Sequence, residues 1–205
     1  ILNNNGVLVV YTDNSNLTNI NSSNNNFGFY LKSSLNNILT GNIAKNNTRG
    51  LDLVSSSNNL ITNNIIDSNY YGISLYSSNY NNITRNSVSN NSNGIRMYSS
   101  YMNRIYFNNF INKDNSMVEP YDSYNFWISP EKMDYTYNNT IYSNYLGNYW
   151  NDYYENDDNK DGIGDVIYFF NSVNDRYPLM KPFENYNGQS LQVINISLKQ
   201  SWNLI

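Results

Sequence analysis

Five glycines, Gly6, Gly28, Gly50, Gly72 and Gly94, stand 22 residues apart without a single insertion. A fixed period of that length marks a stack of equivalent supersecondary units, and it leaves few folds open to the chain. One residue after each Gly come Val7, Phe29, Leu51, Ile73 and Ile95, and three after come Val9, Leu31, Leu53, Leu75 and Met97. Leu17, Leu39, Ile61, Ile83 and Ile105 recur eleven after, and Ser22, Ala44, Ile66, Val88 and Phe110 sixteen after. Locally the apolar positions alternate with polar ones, as in strands, and no helical period intervenes. Three short strands per 22 residues predict an all-β chain wound as a right-handed parallel β-helix.

Composition matters because Asn is so abundant, with 46 residues in a chain of 205. Asn-rich segments are often disordered, but these keep the register of the repeat. From the second coil, Asn37, Asn59, Asn81 and Asn103 stand nine after the Gly, and Asn42, Asn64, Asn86 and Asn108 fourteen after. Asn25, Asn47, Asn69 and Asn91 stand nineteen after, and Ser pairs recur from Ser33-Ser34 to Ser99-Ser100. Coils one strand spacing apart, about 4.8 Å, place like side chains where amides bond in ladders. Asn also tolerates left-handed corners, and the repeating Gly is expected at a corner where a side chain would clash.

The same composition removes whole classes of chemistry. Without His or Cys there is no Ser-His-Asp triad, Cys nucleophile, zinc site or disulfide. A net charge of −4 with 12 scattered basic residues argues against nucleic acid as a partner. No apolar run is long enough to span a bilayer in this segment, and Ile1-Leu2-Asn3 does not begin a signal peptide. Sequons at Asn16, Asn21, Asn46, Asn82, Asn90, Asn138 and Asn195 are candidate glycosylation sites outside the cell.

Position 116, where the next Gly should fall, is Ser. The repeat therefore defines regular coils over residues 1–115, followed by degenerate coils and a Tyr- and Asp-rich cap over 116–188. Residues 189–205 read as a final strand, the opening of a following β-sandwich module or an edge that pairs with a neighbour. Within the cap, Asp157, Asn159 and Asp161 alternate as D-x-N-x-D-G, with Gly162 at the turn. Alternate oxygen side chains before a Gly wrap hard cations, so Asp157, Asn159, Asp161, Ile163 and Asp165 are candidate ligands of a structural Ca2+. A solvated acidic turn explains the same residues without a metal.

The coils, followed by G-N-Y-W-N-D-Y (147–153), D-G-I-G-D (161–165) and D-R-Y-P-L-M (175–180), resemble the NosD-like β-helix repeat proteins over about residues 1–183. That resemblance implies the β-helix of the carbohydrate-binding and sugar-hydrolase type, found in surface-layer and secreted proteins of methanogenic archaea. Its founding member is periplasmic and linked to copper-site maturation in nitrous oxide reductase. The copper role is not expected here: His and Cys are absent, and Met97, Met102, Met117, Met133 and Met180 lack copper-binding spacing.

An enzyme acting on polysaccharide needs a carboxylate cluster at fixed separation, yet Asp13, Asp52 and Asp67 do not stack in adjacent coils of one column. Arg49, Arg85, Arg96 and Arg104 fall at four different offsets, and Asp52 and Arg96 share an offset two coils apart. Tyr76 and Tyr98 occupy one outward position in neighbouring coils, where they either stack on sugars or shield the strand edges. The sequence thus predicts a non-catalytic extracellular or cell-surface module, structural or adhesive. Its expected partners are glycan and the neighbouring domains or subunits of a surface assembly. A polysaccharide lyase, hydrolase or epimerase is the alternative.

Overall fold

The computed structural model describes residues 3–118, 124–170 and 173–186. The strand expected over 189–205 and the sequon at Asn195 lie outside the described residues. Three parallel sheets run along the coils. The long-strand sheet orders Asn3–Val10, Asn25–Lys32, Arg49–Val54, Tyr71–Tyr76, Asn93–Tyr98 and Asp114–Val118 side by side. A second sheet stacks five three-residue strands from Asn16–Thr18 to Arg104–Tyr106, and a third runs from Asn21–Ser23 to Tyr149–Trp150. Pairing follows the repeat: Ile73 lies opposite Leu51 and Ile95, and Ile83 opposite Ile61 and Ile105. The chain is a parallel β-solenoid, as its periodicity requires.

Each apolar column becomes one line of the core. Phe29, Leu51, Ile73 and Ile95 are sealed inside, as are Leu31, Leu53, Leu75 and Met97, and so are Leu39, Ile61, Ile83 and Ile105. A single coil offers too little apolar area to fold, so stability comes from stacking. The Asn columns are ladders with backbone anchors. Asn81 Oδ1 accepts both the Asn59 N–H at 2.9 Å and the Asn59 side-chain amide at 3.1 Å. Its own amide donates to the Ser56 carbonyl at 3.1 Å and onward to Asn103 Oδ1 at 3.0 Å. The corners sit one residue earlier, with positive φ at Asn36, Asn58, Asn63, Asn46 and Asn90 among others. Corner and ladder are thus adjacent Asn positions, which accounts for the composition.

One expectation is corrected. The repeating glycines lie inside the long strands and none takes a left-handed conformation. A Cβ on Gly50 would meet the Gly72 carbonyl oxygen at 2.6 Å and Ile66 Cγ2 at 2.7 Å. Gly is required there by close approach of the next coil, a constraint that a period alone does not distinguish from a corner. The stack continues past residue 115. Asp114–Val118 adds a sixth long strand, and two ladders reach into the cap through Asn125 and Asn148.

The cap closes the solenoid end with aromatics. Trp150 stacks on Phe110 with ring centroids 4.6 Å apart, and Tyr168, Phe170 and Trp127 pack round it. Two antiparallel hairpins, Met133–Tyr137 with Thr140–Asn144 and Tyr168–Phe170 with Val173–Asp175, complete it.

Candidate functional site

The outward face of the long-strand sheet is where chemistry-bearing side chains converge. In the strand Arg49–Val54, Leu51 and Leu53 point inward while Asp52 and Val54 line the outer surface. The inward approach of Gly50 to Ile66 means that two successive residues, Gly50 and Leu51, both face the core. Alternation breaks at that step, and Arg49 emerges on the same side as Asp52. Arg49 Nε lies 3.8 Å from Asp52 Oδ1. Ser74 and Arg96 follow Asp52 in the same column of adjacent strands. These four side chains, with Tyr76 and Tyr98 beside them, line a pocket of about 230 Å³.

Its electrostatics are those of a partly dry site. Burial pushes the Asp52 carboxyl up to about 6, against the lowering effect of Arg49 and Arg96. The Arg49 guanidinium lies over Phe27 at 5.0 Å and Tyr71 at 6.0 Å, and that of Arg96 over Tyr71 at 5.1 Å. Aromatic faces therefore hold both planar cations. The Ser74 hydroxyl is buried and has no hydrogen-bond partner among the described residues. Column offsets hid this cluster from the sequence reading. Arg49 and Asp52 are three residues apart, and only the break in alternation at Gly50 puts them on one face.

The other candidates fall in separate places. Tyr76 and Tyr98 stack on each other at 4.9 Å and 15°, both exposed. Since Tyr98 covers one face of Tyr76, the remaining face turns down the column toward the smaller Val54, beside the pocket. Asn16, Asn21, Asn46, Asn90 and Asn138 are exposed, whereas Asn82 is half-buried with an enclosed, unpartnered Oδ1. Met97 is sealed in the core, Met102 and Met117 are exposed at separate positions, and Met133 and Met180 are half-buried in the cap.

The acidic loop holds its own backbone. Asp157 accepts the N–H groups of Asp161 and Gly162, at 3.1 and 2.9 Å. Asn159 Oδ1 accepts the Asp161 N–H at 3.0 Å, Asp161 Oδ1 that of Ile163 at 2.8 Å, and Asp165 that of Asp158 at 2.6 Å. Tyrosine hydroxyls fix the other side: Tyr135 donates to the Asp161 carbonyl, Tyr142 to that of Lys160 and Tyr186 to that of Gly162. Among the described residues no group of three or more His, Cys, Asp or Glu side chains is arranged to hold a metal ion. The calcium assignment of Asp157, Asn159, Asp161, Ile163 and Asp165 is therefore not supported; side-chain oxygens of Asp157, Asn159, Asp161 and Asp165 instead accept the backbone N–H groups that shape the turn.

The three cap motifs interlock as a clasp. Asp175, fully buried, accepts the Asn148 N–H at 2.7 Å, the Trp150 indole N–H at 3.0 Å and the Tyr177 N–H at 3.0 Å. Burial pushes its carboxyl up to about 6, while these donors pull it down. A Cβ on Gly147 would fall within 2.5 Å of the Asp175 carboxylate, and one on Gly164 within 2.5 Å of the Tyr153 ring. Glycine is dictated at both positions by the group it approaches.

A family model described as periplasmic copper-binding protein (NosD) matches residues 1–155. No curated protein matches the chain.

Proposed function

The chain belongs to the NosD family, and on that premise we propose that it is a non-catalytic, extracytoplasmic β-helix module that binds saccharide on its long-strand sheet. The observation that carries this reading is the pocket itself. It sets the exposed, stacked rings of Tyr76 and Tyr98 beside Arg49, Asp52, Ser74 and Arg96. Sugars are bound by an aromatic face against their C–H side and by charged or polar groups at their hydroxyls. Rigid coils hold these groups in place without an ordering cost at binding.

Copper, which the family description names, does not fit the residues present. Cu sites are built from His, Cys or grouped Met. This sequence has neither His nor Cys, and its Met side chains are divided between core, surface and cap. A periplasmic family description supports a location outside the cytoplasm. Among the described residues no helix is long and apolar enough to cross a membrane. The neighbouring domains or subunits of a surface assembly are the second class of partner.

The non-catalytic assignment rests on the carboxylate count at the pocket. Asp52 is its single carboxylate among the lining residues, whereas acid–base glycoside hydrolysis uses two. An oligosaccharide array probed with the intact chain and with Tyr76→Ala tests both parts. Binding by the wild type that is lost in the variant is expected, and an array without any bound sugar sinks the saccharide reading. Release of shortened or unsaturated oligosaccharide from a bound polymer would make the protein an enzyme instead.

A further inference from the structure

We infer that the saccharide recognised by this pocket is acidic, and that a uronic-acid carboxylate is seated against Arg49 and Arg96. The inference rests on the saccharide reading above and adds the chemical class of the sugar.

The charge is local. The chain as a whole carries −4, yet this pocket sets two guanidinium groups against one carboxylate. The single ion pair between them is long, 3.8 Å through Nε, and the Arg49 side chain makes no hydrogen bond among the described residues. Arg96 makes no hydrogen bond or ion pair among the described residues; its contact is the face of Tyr71. A guanidinium lying on a ring has its plane fixed and its N–H edge free, which suits two-pronged capture of a carboxylate. The same outward column carries Leu8 and Tyr30 in the coils before and Met117 in the strand after. Within that column Arg96 is the one cation.

A second observation points to a ligand independently. Ser74 is only 7% exposed, and its hydroxyl has no hydrogen-bond partner among the described residues. It stands between Asp52 and Arg96 in the column, in register with both. A buried hydroxyl left unpaired costs stability. A ligand oxygen reaching the floor of the pocket between the two arginines would satisfy it. The neighbouring Asp52 then serves as acceptor for sugar hydroxyls. Burial that drives its carboxyl to about 6 also strengthens charge-assisted bonds made within the site. With Tyr76 and Tyr98 in the same lining, the pocket supplies aromatic surface, two guanidinium donors for a carboxylate and one acceptor for hydroxyls.

The test uses the intact chain and short oligomers of galacturonate, glucuronate and mannuronate, each paired with its methyl ester, by calorimetric titration. The ester keeps the ring and linkage and removes the charge. At least one acid form is expected to bind about tenfold or more tighter than its ester. Arg96→Gln should erase most of that difference, and Arg49→Gln part of it, with melting curves close to wild type. Tyr76→Ala should weaken acid and ester alike. Equal binding of acid and ester, or binding of neutral oligosaccharides alone, overturns the acidic assignment and leaves the saccharide reading standing. No binding on either arm overturns both. An acid preference that survives both arginine substitutions places the carboxylate elsewhere and overturns the assignment.

Discussion

The coils and the cap solve one problem, the pairing of buried polar groups, in opposite ways. In the coils Asn37, Asn59, Asn81 and Asn103 repeat a single amide geometry by translation. Each member shares its load with one above and one below. In the cap, one carboxylate, Asp175, gathers three chemically different donors, two from Asn148 and Trp150 and one from Tyr177. The difference teaches where specific-looking sequence should be read as function. The cap motifs are distinctive because every residue has a unique partner inside the fold, whereas the pocket arises on the repetitive part, wherever the coils leave outward positions free to vary.

The largest expected effect follows from breaking the unshared element. Asp175→Ala leaves the Trp150 indole and the Asn148 and Tyr177 amides without their acceptor. It should cost about 4 kcal/mol in denaturant unfolding or prevent folding. A loss no greater than that of a ladder substitution would erase the contrast between the two regions. Gly50→Ala comes next at about 3 kcal/mol, since the added methyl meets a backbone oxygen that can move only with the whole adjacent coil. Asn81→Ala removes the acceptor of the Asn59 backbone N–H, one of two acceptors of its side-chain amide and the side-chain donor to the Ser56 carbonyl, at about 2 kcal/mol in the same assay. A near-neutral result there would show that the ladder contributes register without stability.

Asp52→Asn has the opposite sign. Because burial raises the Asp52 carboxyl from 3.8 to about 6, the folded chain holds a proton between those values that the unfolded chain has released. Its contribution is thus complete below about pH 4 and is lost as pH rises through about 6. The Asn variant should be more stable than wild type at pH 7 by about 1–2 kcal/mol, and should flatten the decline in melting temperature over that window. An unchanged pH profile would contradict the buried placement of this carboxyl. The smallest effect is expected from calcium: adding it, or removing it with EDTA, should leave the melting temperature in place. The loop oxygens already bind backbone N–H groups, and a rise with calcium would return Asp157, Asn159 and Asp161 to the status of ligands.

What the sequence made legible follows from what translation conserves. A strict period fixes register, so the inward columns through Phe29, Leu39 and Ile66 and the three Asn ladders could be read directly. The role of the glycines could not, because close approach and left-handed corners both exclude a side chain. Nor could the pocket. Arg49 and Asp52 occupy different offsets, and strict alternation would put them on opposite faces; their union depends on the step at Gly50–Leu51, where two residues face inward together. The cap contacts were hidden by a third circumstance, the absence of any period. Asp175 meets Asn148 and Trp150 across more than twenty residues, with no repeat to give their spacing meaning.

The claim that function lies on the coil face and that the motif-rich cap is structural can be tested in one measurement. Backbone amide shifts of the labelled chain should be followed while a uronate oligomer is titrated in. Perturbations are expected to cluster at residues 49–54, 74–76 and 96–98, with residues 147–165 unmoved. Shifts centred on the acidic loop and the Asn148–Tyr153 segment, with the coil face silent, would contradict it.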